Sequence, residues 1–170
     1  MFASLFEYKA WANLDLIDAL EAINGAAHPD ALRDATRILN HTWVVDQIFA
    51  ANLRQVGHDF SATNTEATPA LSVLRAAIVE SDNWYLHYLT NLDESALHES
   101  LTFTFVDGDR GCMTRAEMLM HLVTHGTYHR GAIGRVLAQR SIAPPRDGFA
   151  AFLHRQQPQR RGIAVASAIS

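Results

Sequence analysis

Residues 114–139 read TRAEMLMHLVTHGTYHRGAIGRVLAQ. Thr114-Arg115-Ala116-Glu117 is a capping box, in which threonine bonds forward to an orphan amide and glutamate bonds back. From there the segment runs without a helix breaker to about Gln139, and Pro144-Pro145 blocks any continuation. Three histidines stand four residues apart on this one helix: His121, His125 and His129. Residues at i and i+4 lie about 5–6 Å apart at Cβ, so two neighbouring imidazoles can share one metal ion. The outer pair lie about 12 Å apart along the axis, so one ion cannot take all three.

A helical wheel selects the pair. With Met118 at zero and about 100° per residue, Leu122, Ile133 and Val136 fall near 40°, 60° and 0°. On that wheel His129 falls near 20° and His125 near 340°, while His121 falls near 300° and Arg130 near 120°. His125 and His129 are therefore expected to point inward. His121 is expected at the flank, orienting its neighbours, and Arg130 at the edge, as an ion-pair partner or an anion contact. Two inward imidazoles need partners, because an unsatisfied buried polar group costs about 1–3 kcal/mol. A metal satisfies both. The plainer alternative is two core histidines bonded to carbonyls or neighbours.

Three more stretches carry the three-and-four spacing of a helix face. Phe2 to Ile23 holds Leu5, Tyr8, Ala12, Leu16 and Ala19, and closes at Asn24-Gly25. Pro29 to Val56 holds Ile38, Val45, Ile48, Phe49 and Leu53, and ends at Gly57. Thr68-Pro69 opens a third helix, expected to reach Leu92 with Leu74, Ile78, Tyr85 and Leu89 on one face. Between the third and fourth helices the period changes. Leu101, Phe103 and Phe105 alternate with threonines, Asp107-Gly108 signals a turn, and Arg110 to Met113 is expected to pair back. Gly148 to Arg155 predicts one short helix. The expected architecture is all-α, a four-helix bundle with a short β-ribbon before the last long helix. A domain over 1–155 and a flexible tail over 156–170 complete it.

On the second helix, His41 lies in the apolar stripe near mid-length, as His125 does on its own helix. It is the eligible third ligand. His28 and His58 sit at helix ends, His87 off the apolar face, and His98 and His154 in loop or tail, where solvated histidine is the simple reading. Three imidazoles without a thiolate suit zinc, nickel or iron, and leave a coordination position open. Weaker pocket candidates are Tyr8, Trp11, Asn52 and Tyr85.

Composition narrows the function. The chain has 170 residues, 19% charged and 48% hydrophobic, with a net charge of -4. This is a globular composition without the basic surplus of a nucleic-acid binder. Apolar runs are too short to span a membrane. Cys112 is the single cysteine, which excludes an internal disulfide, and it reads as a buried structural residue. The first residues lack a signal-peptide pattern, and a cytoplasmic location is expected. Lys9 is the one lysine of the chain.

Tyr8-Lys9-Ala10-Trp11-Ala12-Asn13, Asn40-His41-Thr42-Trp43 and His125-Gly126-Thr127-Tyr128-His129-Arg130-Gly131, in this order, resemble the signatures of the DinB/YfiT-like group of metal-dependent enzymes. That group is named for DNA-damage-inducible members. The resemblance spans about residues 2 to 153. It implies a long crossover in the bundle, a homodimer, and a divalent metal on His41, His125 and His129. Zinc or nickel comes first, with manganese or iron as alternatives. It also implies a small-molecule substrate and, as in some relatives, a low-molecular-weight thiol as cosubstrate of a transferase. A metal-dependent hydrolase is the runner-up, weakened because no glutamate lies within the His-x-x-x-His segment. A non-catalytic metal or small-ligand binding stress protein is the third reading. The motif usually continues with glutamine where this chain has Ala132.

Overall fold

The computed structural model describes residues 1–161. Four long helices dominate: α1 (Phe2–Glu21), α2 (Pro29–Arg54), α3 (Leu71–Thr90) and α4 (Arg115–Ala138). A two-stranded antiparallel sheet, β1 (Ser100–Thr104) and β2 (Arg110–Thr114), precedes α4. A short α5 (Phe149–Gln156) follows it. The 156–170 segment begins with the end of α5 and one 3-10 turn, Pro158–Arg160; its residues 162–170 lie outside the described part.

The packing is set by the apolar stripes. α1 and α2 each lie against both α3 and α4. One core cluster joins Phe6, Phe49, Leu53, Tyr85, Met118 and Leu122; a second, toward the other end, joins Leu16, Leu20, Leu39, Ile78 and Ile133. α5 docks on α1, where Phe152 packs with Tyr8 and Ala12.

The helix ends show where local chemistry decided. Both halves of the capping box at Thr114 and Glu117 form, at 3.2 and 2.7 Å. α2 stops at Arg54, before Gly57, because Gln55 takes a left-handed conformation (φ 54°) and its amide bonds back to α2 carbonyls. α3 starts at Leu71, two residues beyond Pro69, with Ala70 extended as its cap and no capping side chain. At the ribbon turn Gly108 has φ 96°, the left-handed region that glycine adopts without strain.

The register pairs Leu101 with Met113, Thr102 with Cys112, and Phe103 with Gly111. Strand alternation then turns Leu101 and Phe103 onto the helices. Cys112 shares a face with Thr102 and is exposed, which corrects the expectation of a buried cysteine. No helix among the described residues is long and apolar enough to cross a membrane.

Candidate metal centre

The contact of α2 with α4 brings mid-length to mid-length, and His41 meets His125 and His129 there. One ring nitrogen from each lies within 4.8 Å of the others. Nε2 of His41 is 3.1 Å from Nε2 of His125. A tetrahedral ion with bonds of about 2.0–2.1 Å needs nitrogens about 3.3 Å apart, so this spacing fits. Among the described residues the group contains no carboxylate and no thiolate.

His41 is oriented by the segment after α2. Arg37 donates to the Thr65 carbonyl (2.6 Å), and Asn40 exchanges side-chain bonds with Asn64 (2.8 Å) and Thr65 (3.2 Å). These bonds pin the segment onto α2 and bring the Thr63 carbonyl 2.8 Å from Nδ1 of His41. A carbonyl only accepts, so Nδ1 carries the proton and Nε2 presents a lone pair toward His125. This is how a metal-ligating imidazole is commonly held. Without a metal, His125 can donate one N–H to that lone pair. Its Nδ1 is nevertheless buried with no partner. Burial, and then the positive charge that His129 and His41 would carry, push His125 down to about 3. Burial and His41 likewise lower His129. Both imidazoles are therefore held neutral, the form that binds a cation.

The cluster lies on a flank. The buried residues of α4 include Leu119, Val123, Gly126 and Arg130 with Met118, Leu122 and Ile133. Their mean direction is near 80° on the wheel, against the about 40° expected from Leu122, Ile133 and Val136. The three histidines are consequently half-buried. Arg130, expected at the edge, is 4% exposed. The wheel erred because it weighted apolar residues alone and left out the small Gly126 and the paired Arg130.

The remaining candidates are engaged as follows. His121 stacks between His125 (5.2 Å) and Phe49 (4.8 Å), beside the cluster. Arg130 pairs with Asp147 (2.7 Å) and bonds Asn13 (3.1 Å). The Tyr8 hydroxyl donates to Asp147, and the ring packs with Trp11, Phe149 and Phe152. The Tyr85 hydroxyl is spent on the Asp46 carbonyl (2.6 Å), and the residue is fully buried. Asn52 lines a separate cavity near the ribbon.

A second polar group went unread in the sequence. Lys9, 2% exposed, donates to Asp46 (2.6 Å) and Asp82 (2.7 Å), and Asn13 donates to Asp82 (2.8 Å). Burial opposes the charge on Lys9, but the two carboxylates outweigh it and hold its pKa above the ordinary value. Burial pushes Asp46 up to about 6 against the pull of Lys9. Gly126 marks the crossing of α4 over this group: a Cβ there would stand 3.2 Å from an Arg130 nitrogen and 3.8 Å from Lys9 Cε. The spacing did carry a signal. Lys9 sits with Leu5, Ala12 and Leu16, and Asp82 with Ile78 and Tyr85, at inward positions of their helices.

The DinB family profile matches residues 1–161. The chain belongs to the DinB family. It is 22% identical over 159 residues to Protein DinB of Bacillus subtilis (strain 168), covering 88% of this chain and 91% of that protein. No solved structure matches the chain.

Proposed function

We propose that this DinB-family chain is a metal-dependent enzyme, a four-helix bundle with one long crossover in which His41, His125 and His129 hold one divalent cation. The reading extends to a transferase that uses a low-molecular-weight thiol against a small-molecule electrophile. The observation that carries it is the convergence of three ring nitrogens within 4.8 Å on a half-buried flank, with a buried His125 nitrogen left unpartnered. Zinc and nickel suit the all-imidazole donor set best, ahead of manganese and iron.

When bound, the cation supplies Lewis acidity that favours the ionised form of a thiol or of water. The chain supplies the rest. Thr63 fixes the ring of His41, and His121 and Phe49 brace the ring of His125. The neutral donors leave the ion's charge uncompensated, which favours an anionic ligand such as a thiolate. A hydrolase would want a carboxylate base beside the ion, and the cluster has none among the described residues. Cys112 is on the outer face of the ribbon and takes no part. A homodimer and a cytoplasmic setting belong to the same proposal.

Cobalt(II) substitution tests the thiol half. Adding N-acetylcysteine to the cobalt-loaded chain is expected to produce a sulfur-to-cobalt charge-transfer band, absent in His41→Ala. Cobalt binding without that band would overturn the thiol reading. Failure of cobalt, zinc and nickel to bind would overturn the metal reading with it.

A further inference from the structure

A cavity of about 470 Å³ opens between the end of α2, the segment after it and β1. That volume is within the range of small-molecule pockets. Val56, Phe60, Phe103 and Phe105 make its walls apolar, and no aspartate, glutamate, lysine or arginine lines it. Two polar side chains face it. Asn52 is 7% exposed, and its Nδ2 has no hydrogen-bond partner. Nδ1 of His58 is likewise buried and unpartnered. Native chains rarely leave such groups orphaned, so these two are reserved for something the chain does not supply.

The ribbon is shaped toward the same cavity. Phe103 and Phe105 stand edge to face at 4.8 Å. Both rings lie over Gly111, where a Cβ would come within 2.7 Å of Phe103 and 2.8 Å of Phe105. Only glycine leaves that space. Phe105 remains 44% exposed at the rim, a large apolar side chain with its outer face uncovered. The cavity is also joined to the histidines. Rings follow one another from His125 to His121 (5.2 Å), to Phe49 (4.8 Å), and to Phe103 (6.0 Å).

We propose that this cavity binds a small, flat, largely apolar molecule carrying a hydrogen-bond-accepting oxygen, with its ring against Phe103 and Phe105 and its oxygen on Asn52 Nδ2. The absence of charged lining excludes phosphates and polyanions as its natural class. The cavity stands without a metal; its role as the far end of the substrate site rests on the metal reading above.

The probe is 8-anilinonaphthalene-1-sulfonate, a flat aromatic with acceptor oxygens, titrated by fluorescence into the metal-free full chain. Saturable binding of one probe per chain is expected. Asn52→Leu removes the donor and should weaken it about tenfold. Val56→Trp places an indole across the mouth and should weaken it at least as much. Val56 is 52% exposed, so this variant keeps the test open if Asn52→Leu fails to fold. His41→Ala should lose metal and keep the probe, which separates this site from the metal reading. No saturable binding, or binding unchanged in a folded Val56→Trp variant, would overturn the proposal.

Discussion

Two polar groups lie within one helical body, and they are resolved in opposite ways. Between α1, α2 and α3, Lys9 meets Asp46 and Asp82, and each charged group faces its complement. Between α2 and α4, three imidazoles face one another, and one nitrogen of His125 is left without a partner. The first group is closed: the chain supplies both signs of charge and the bonds that hold them. The second is open: like groups converge and nothing in the chain compensates them. A chain that wanted only stability at α2–α4 could have placed leucines there. Convergence of like donors makes sense where the partner arrives from outside, as a cation does.

The sharpest way to break this comparison is Lys9→Met. It strands two buried carboxylates and is expected to cost about 3–5 kcal/mol in urea unfolding. A loss below about 1 kcal/mol would show that the Lys9 group is not the closed network described. Asn13→Ala probes the same group more gently. Asn13 donates to Asp82 and accepts from Arg130, so it ties Lys9's partners to the Arg130–Asp147 pair. Its loss should cost about 1–3 kcal/mol. Coupling to Arg130→Met in a double-mutant cycle would confirm the tie, and strict additivity would remove it.

The open group should behave otherwise. In metal-free protein, His125→Ala is expected to stay within about 1 kcal/mol of wild type, since it removes an unsatisfied group along with its packing. A loss as large as that of Lys9→Met would make the histidines a structural core and erase the contrast. Acid supplies the subtlest test. His125 is neutral in the folded chain down to about 3, whereas unfolded histidine takes its proton near 6.5. Below pH 6.5 the unfolded state therefore binds more protons, and this residue's share of stability falls as pH drops toward 3. Asp46, raised to about 6, acts with the opposite sign below that pH. The readable quantity is thus the difference in melting temperature between wild type and His125→Gln. That difference should shift against the wild type from pH 7 to pH 5. A constant difference would mean that His125 titrates normally.

The sequence carried much of this, and physical reasons separate what it carried from what it did not. Periodicity, the Thr114–Glu117 box and the Asp107-Gly108 turn are local signals, and they located the four long helices and the ribbon to within a few residues. The His-x-x-x-His spacing is local too. The direction of α4's buried face is not local. It depends on which partner helix meets Arg130 and Gly126, and an apolar wheel has no weight for a paired arginine. The Thr63 carbonyl that orients His41 is a backbone group, invisible to side-chain reasoning. The Lys9–Asp46–Asp82 group required reading three charges on three helices as one. Each sat at an inward position, but charge at such a position argued against burial until its partners were known.

The most direct measurement is elemental analysis of untagged protein beside His41→Ala and His129→Ala. The account predicts about one divalent ion per wild-type chain and essentially none in either variant, with both variants folded. A wild type that takes up no zinc, nickel or manganese when offered them, or variants that retain the ion, would contradict it.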